Sequence, residues 1–230
     1  GAVRFHDAQI DDARHTAAVA RTAAAHGAAI ATRTAVVSLI REDGRVVGAV
    51  IRDELTGREF ETRARVVLGA AGVWTDDLLE MSGSSSQHAV RQSKGIHLVV
   101  PREAFPSTSA LIARTPTSVL FLLPWGRHWL IGTTDTDYTG SRSEPQVDEA
   151  DVDYLLAEAN KWLARPLTRD DVVGIYSGLR PLLSAGTGED GTATLSREHA
   201  VLRPAPGLVL IAGGKYTTYR VMASDAVDAA

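Results

Sequence analysis

The chain has 230 residues, of which 44% are apolar and 23% are charged, a balance typical of a globular protein with one large core or two smaller ones. Its formal net charge of -4 excludes an overall positive field that would hold nucleic acid, so an anion must be bound by a local cluster of cations. Cysteine is absent, which excludes disulfides and cysteine-ligated metal sites and agrees with a cytoplasmic location.

The first third of the chain predicts one helix followed by hairpins. Asp11 and Asp12 open a helical pattern that Gly27 ends. Runs rich in β-branched residues then alternate with turns at 42–44 and 55–57, which predicts an antiparallel meander. The apolar run at 65–70 stops at Gly72 and is followed by leucines at helical spacing, so we expect a buried strand that leads into a helix.

The middle of the chain predicts an antiparallel sheet with a helix on it. Strand-like stretches at 95–100, 109–113, 118–125 and 128–134 are separated by prolines and a glycine. An amphipathic helix is expected over 148–164, and a further strand over 172–183. The motif GxGxxG at 186–191 carries two acids and precedes threonine-rich sequence, so we interpret it as a polar loop and not as a dinucleotide-binding turn.

The last strand, 208–212, runs into a corner formed by Gly213, Gly214 and Lys215. Two glycines allow a ligand to approach the backbone, and Thr217 or Thr218 can cap the helix that follows, whose N-terminus favours an anion. The corner is therefore a candidate phosphate or cofactor site, although an ordinary strand–loop–helix corner fits equally well. The chain has no initiator Met and ends inside a helical pattern, so we expect it to be a piece of a longer protein.

Three further polar residues lie in or beside predicted strands. Alternation places His97 on the face opposite Ile96 and Leu98, Arg180 precedes a proline at a predicted strand end, and Arg197 begins a strand. Each residue alone also fits a structural role. Together with Lys215, the two arginines would form an anion cradle for a phosphorylated or carboxylated substrate. The histidines lack the paired spacing of a metal site, so no metal is expected.

Several motifs in the same order resemble one family along the whole chain. They are RFHDAQIDDAR (4–14), ARVVLGAAGVWTDDL (64–78), SKGIHLVVP (93–101), IGTTDTDY (131–138), YSGLRPL (176–182), SREH (196–199) and GGKYTTYR (213–220). The chain thereby resembles the FAD-dependent, quinone-linked glycerol-3-phosphate dehydrogenases of the D-amino-acid-oxidase-like flavoproteins.

This resemblance implies FAD as cofactor and oxidation of glycerol 3-phosphate to dihydroxyacetone phosphate by hydride transfer to the flavin, with quinone as electron acceptor. Arg180 and Arg197 would hold the substrate, and either His97 or Lys215 would be the base. The substrate-contacting residues implied are His97, Arg180, Arg197, Lys215 and Thr217, and the residues implied to contact FAD are Ala71, Gly72, Trp74, Gly213, Gly214, Lys215 and Thr218.

The resemblance also implies an α+β fold with two interleaved parts. Residues 11–83 and 200–230 are expected to form a remnant of an FAD-binding domain, and residues 1–10 and 84–199 an antiparallel substrate (cap) domain. The family's N-terminal dinucleotide-binding unit and C-terminal domain have no counterpart here, which leaves independent FAD binding open. Peripheral membrane association and a homodimer are left open too. The alternatives are an amine-oxidising flavoenzyme of the same superfamily and a non-catalytic cap fragment.

Overall fold

A computed structural model describes residues 2–84, 88–116, 118–185 and 198–230. The α-helices in these ranges are α1 (Asp12–Ala25), α2 (Thr75–Met81), α3 (Glu149–Asn160) and α4 (Tyr219–Ala229). The strands are β1 (Thr34–Glu42), β2 (Arg45–Asp53), β3 (Glu59–Arg63), β4 (Val67–Gly69), β5 (His88–Pro101), β6 (Leu111–Arg114), β7 (Val119–Trp125), β8 (His128–Gly132), β9 (Thr136–Asp137), β10 (Gly174–Ala185), β11 (His199–Ala205) and β12 (Leu208–Gly213). This mixture confirms the predicted α+β class.

The chain divides into two compact units, Gly1–Ser38 with Ala49–Thr62, and Leu39–Gly48 with Arg63–Ala230. In the first unit, α1 begins as predicted, because the side chain of Asp11 accepts a hydrogen bond from the backbone N–H of Arg14 at 3.0 Å. The helix ends before Gly27, whose φ of 92° lies in the left-handed region. The division proposed for the FAD-binding and cap domains stays a prediction.

The meander predicted after α1 is present as a sheet of order β1-β2-β3. Asp43 and Gly44, with φ values of 48° and 78°, form the tight turn between β1 and β2. Positive φ at both positions matches the right-handed twist of the two strands, which is why this hairpin forms from local sequence.

The second unit contains the antiparallel sheet predicted for the middle of the chain, which we call the cap sheet. Its strand order is β10-β5-β8-β7-β6, and β9 pairs with β5 beside this path. One face of the cap sheet packs against α3 and forms the larger apolar core, to which β5 contributes Ile96, Leu98 and Val100. Burial of these side chains is the main force that fixes the sheet on the helix.

The helix α3 is shorter than the predicted 148–164, because it ends at Asn160. The side chain of Asn160 accepts a hydrogen bond from the Leu167 N–H at 2.7 Å and donates one to the Leu167 carbonyl at 2.9 Å. These two bonds tie the last residue of the helix to the backbone seven residues later, a local polar contact that apolar spacing does not reveal.

A buried cation joins α3 to the cap sheet. Lys94 of β5 is 3% exposed, and its Nζ lies 2.6 Å from Asp148 Oδ2 and 2.7 Å from Asp151 Oδ2. Burial alone lowers the pKa of Lys94, but the hydrogen bonds to the two carboxylates outweigh it and raise this pKa above its usual value of 10.5. Lys94 is therefore a structural cation on the α3 side of the sheet.

A third sheet has the order β11-β12-β4. The strands β11 and β12 form a hairpin, and β4 runs parallel to β12, with Leu208 opposite Val67 and Leu210 opposite Gly69. The prediction that residues 65–70 form a buried strand was only partly right. Because β4 is at the edge of the sheet, Leu68 stays 40% exposed.

Candidate active site

His97 lies on the face of the cap sheet that α3 does not cover. Ile96 and Leu98, its neighbours in β5, are fully buried in the core, whereas His97 is half-buried. This confirms the face predicted from alternation. In the register of the sheet His97 is opposite Tyr176 of β10 on one side and opposite Gly132 of β8 on the other.

The imidazole of His97 is fixed by both neighbours. Its ring is stacked on the Tyr176 ring with centroids 5.0 Å apart and an interplanar angle of 5°. A Cβ built on Gly132 would lie 2.7 Å from His97 Cγ and 2.8 Å from Nε2, so the ring covers the Gly132 backbone directly. Only glycine leaves room for the ring in this position, and the orientation of the imidazole is therefore set before any ligand arrives.

Arg180 lies on the same face of the cap sheet, four residues along β10 from Tyr176, the partner of His97. The strand register puts Arg180 opposite Ser93, and Gly178 opposite Gly95. The guanidinium lies over Gly95, since a Cβ on that glycine would be 2.7 Å from Arg180 Nη1 and nearer still to Nη2. The prediction that Arg180 ends a strand was wrong: it lies inside the twelve-residue β10, which continues through the following proline.

The corners predicted to contact a cofactor lie together at the carboxyl ends of β4 and β12 in the third sheet. Since β4 and β12 are parallel, the turns that follow Gly69 and Gly213 emerge at the same end of this sheet. Gly72, Gly213 and Gly214 all have left-handed φ values, 57°, 73° and 82°. The carboxyl ends of parallel strands are the usual place for a ligand in such sheets, and glycines there let it approach the backbone.

The side chains at these corners are accessible. Ala71 begins the 3-10 turn Gly72–Trp74, and the Trp74 side chain is exposed. Lys215 and Thr217 are exposed as well. The prediction that Thr217 or Thr218 caps the last helix was only partly right, because Thr218 is at the N-cap position of α4 but, in residues 198–230, its side chain makes no capping hydrogen bond to the helix. Thr218 instead donates its hydroxyl to the Lys215 carbonyl at 2.9 Å.

The face that carries His97 and Arg180 and the glycine corners of the third sheet both lie in the second unit of the chain. The turn Gly72–Trp74 is beside β5 and β10, and β12 is beside β10. Where β12 meets β10, a Cβ built on Gly213 would lie 3.1 Å from Leu183 Cδ1. Leu183 is three residues from Arg180 along β10, a distance of about 10 Å. Arg197 and the 186–191 loop lie outside the described residues, so the second arginine of the cradle stays a prediction.

Sequence reasoning missed the residues that hold His97 and Arg180. Tyr176 stacks on the histidine, while Ser93 and Thr133 bond the arginine. All three fall inside motifs that carry the family resemblance, SKGIHLVVP, IGTTDTDY and YSGLRPL. For Thr133 and Tyr176 the signal available was a polar side chain in a predicted strand, whereas Ser93 lies two residues before the strand predicted at 95–100. In the ranges that the structure describes, no group of three or more metal-ligating side chains is assembled.

Residues 1–220 match the family described as FAD dependent oxidoreductase, and the chain belongs to that family. Glycerol-3-phosphate dehydrogenase 2 of Mycobacterium tuberculosis (strain ATCC 25618 / H37Rv) is 54% identical over 230 residues, which is 100% of this chain and 39% of that protein. The chain therefore spans well under half of this curated relative. The resemblance drawn from the motifs is confirmed.

Two solved structures of flavoenzymes resemble the fold of this chain. The glycerol-3-phosphate dehydrogenase of Bacillus halodurans, complexed with FAD, matches with a TM-score of 0.85 and 38% identity over 95% of this chain and 42% of that chain. The glycine oxidase of Geobacillus kaustophilus matches with a TM-score of 0.62 and 25% identity over 92% of this chain and 52% of that chain.

No helix within the described parts of the chain is long and apolar enough to cross a membrane.

Proposed function

We propose that this chain carries the substrate-binding face of a dehydrogenase that uses FAD to oxidise sn-glycerol 3-phosphate to dihydroxyacetone phosphate, with electrons passed on to quinone. The observation that carries the proposal is the placement of a fixed guanidinium, Arg180, beside a fixed imidazole, His97, on one uncovered sheet face. The 54% identity to a protein named glycerol-3-phosphate dehydrogenase supports the choice of substrate.

The residues at the edge of the third sheet fit FAD. Gly213 and Gly214 cannot carry side chains, because a Cβ would meet the Glu198 carbonyl at 2.6 Å in one case and Met222 Sδ at 2.6 Å in the other. These two glycines are therefore required by the packing of the chain itself. Gly72, at φ 57°, is open instead, because a Cβ built there meets no atom of the described residues within 4 Å, and a large planar or phosphorylated ligand can approach its backbone. The residues that would hold FAD are Ala71, Gly72, Trp74, Gly213, Gly214, Lys215 and Thr218.

Each residue of the site has a defined task in this reaction. Oxidation of the secondary alcohol removes a hydride from C2 and a proton from the C2 hydroxyl, and FAD, when bound, supplies the acceptor of the hydride. Arg180 binds the phosphate dianion through charge-assisted bonds, with Arg197 as the second cation. His97 takes the hydroxyl proton at a ring nitrogen.

His97 is a better base than Lys215 for two reasons. Histidine is the side chain that most often serves as a general base at neutral pH. The ring is also held in place by Tyr176, whereas Lys215 is exposed. Lys215, two residues after β12, would instead supply positive charge beside the residues that would hold FAD, which would favour the reduced, more negative form of the cofactor.

Amine oxidation is less well supported. The likeness to glycine oxidase is weaker in both TM-score and identity than the likeness to the dehydrogenase. An amine oxidase also has to bind only a carboxylate, for which a single arginine is sufficient, whereas the predicted cradle has two arginines and a lysine.

The remaining alternative is a cap that binds no cofactor. The absorption spectrum of the purified 230-residue chain tests it, because flavin bands in proportion to protein would exclude it.

The substitution Arg180→Ala tests the proposal in the full-length protein loaded with FAD. Loss of a charge-assisted bond is worth about 1.5–3 kcal/mol, so kcat/KM for sn-glycerol 3-phosphate is expected to fall about ten- to more than a hundredfold. Arg114→Ala, on the exposed edge strand β6, is the matched control and is expected to change nothing. Equal kcat/KM in both variants would contradict the proposal.

The substitution His97→Asn separates proton transfer from binding. Substrate affinity is expected to stay near that of the wild type, while flavin reduction slows and loses its pH dependence near neutrality. Stopped-flow absorbance measures both quantities. If the variant keeps the wild-type rate and pH profile, His97 is not the base, and Lys215 takes that assignment.

A further inference from the structure

The guanidinium of Arg180 is held by oxygen atoms from two distant segments of the chain. Nη2 donates to Thr133 Oγ1 at 2.7 Å, and Nη1 donates to the Thr134 carbonyl at 3.2 Å and to Ser93 Oγ at 3.4 Å. Ser93 belongs to β5, and the two threonines follow β8. Bonds from two sides of the planar group fix its position over the Gly95 backbone.

Ser93 is itself oriented by a carboxylate. It is fully buried, and its hydroxyl donates to Asp135 Oδ1. A hydroxyl has one proton, so once this proton is bonded to Asp135 the oxygen presents its lone pairs to Arg180 Nη1. The acceptor role of Ser93 toward the arginine thus depends on Asp135.

Thr133 is oriented in the same manner. Its hydroxyl donates to the Thr134 carbonyl at 3.0 Å, which leaves Oγ1 as the acceptor for Arg180 Nη2. Both side-chain oxygens that hold the guanidinium are therefore set as acceptors by a second bond of their own. A guanidinium with two preset acceptors samples few orientations.

We infer that Thr133, Ser93 and Asp135 are positioning residues for anion binding, which act by holding the Arg180 guanidinium ready to meet the substrate phosphate. The inference rests on the proposed function, in which Arg180 binds that phosphate. An arginine already held in place loses less conformational freedom when the anion binds, so removing the acceptors weakens anion affinity although none of the three residues touches the substrate.

Isothermal titration of inorganic phosphate into the full-length protein loaded with FAD tests this inference. Thr133→Val removes the hydroxyl at nearly constant volume and is expected to raise the phosphate Kd about three- to tenfold, whereas Thr133→Ser keeps the hydroxyl and restores the wild-type value. Ser93→Ala is expected to act like Thr133→Val. The matched control is Ser177→Ala, which removes a serine bonded to the Pro145 carbonyl on the opposite face of β10.

The decisive step repeats these substitutions in an Arg180→Ala background. If the residues act through the guanidinium, Thr133→Val and Ser93→Ala have no further effect there, and Asp135→Ala has none in a protein that already carries Ser93→Ala. Equal weakening with and without Arg180, or no weakening in either background, would overturn the positioning role. If Arg180→Ala alone leaves the phosphate Kd unchanged, it is instead the anion assignment in the proposed function that fails.

Discussion

A single methyl group at Gly95 is expected to displace the arginine on which anion binding depends. In Gly95→Ala the new Cβ would lie 2.6 Å from Thr133 Oγ1 and 2.7 Å from Arg180 Nη1, well inside van der Waals contact. Gly95 lies in the interior of β5 and has no left-handed φ, so the backbone accepts alanine without strain. The flexible end of Arg180 has to move.

The expected loss is large for activity and small for stability. A displaced guanidinium no longer meets the phosphate in the same place, and a charge-assisted bond of about 1.5–3 kcal/mol is lost, which is about a ten- to more than hundredfold fall in kcat/KM. Alanine in a strand is favoured over glycine by about 0.5–1 kcal/mol, which offsets part of the cost of moving the side chain. The free energy of unfolding is therefore expected to change by no more than about 1 kcal/mol.

Steady-state kinetics with sn-glycerol 3-phosphate and urea unfolding, both on the full-length protein loaded with FAD, measure the two quantities. The control is Gly178→Ala, directly across from Gly95 on β10, where an added Cβ meets no atom within 4 Å. This variant should be as stable as the wild type. Because Gly178 lies between His97 and Arg180 on the proposed substrate-binding face, Arg114→Ala is the control for activity. Wild-type kcat/KM in Gly95→Ala would refute the reasoning, because it would mean that the position of the guanidinium over this glycine is irrelevant to binding.

Two further substitutions test the cofactor corner and the structural cation. In Gly213→Ala a Cβ at φ 73° would meet the Glu198 carbonyl at 2.6 Å, so the free energy of unfolding should fall by at least about 1–2 kcal/mol. The ratio of flavin to protein absorbance should also drop, and an unchanged ratio would contradict a cofactor contact at this corner. Lys94→Met leaves Asp151, 7% exposed, without its cation and should cost about 3–5 kcal/mol at neutral pH in urea unfolding. Since folding raises the pKa of Lys94 above 10.5, the contribution of Lys94 to stability is fully present below about pH 10.5 and is lost as pH rises through the raised value. The difference in free energy of unfolding between wild type and variant should therefore shrink in strong alkali, and a constant difference would speak against the ion pair.

The sequence alone determined the features that depend on neighbouring residues. Alternation in β5 set the face of His97, because successive side chains in a strand point to opposite sides. The pair Gly213 and Gly214 predicted the turn after β12, since both adopt φ values that other residues avoid. Asp11 and Gly27 likewise marked the ends of α1.

Tertiary structure alone decided which of these features meet. Arg180 is held by Ser93 and Thr133, which lie 87 and 47 residues away along the chain. Contacts over such distances depend on strand register and on loop paths, which local periodicity does not encode. The end of α3 at Asn160 is a different case: its side chain bonds the Leu167 backbone only seven residues away, and apolar spacing carries no signal for such a polar contact. Residue type and local spacing specified the chemistry of this face, and strand pairing across the sheet specified its geometry.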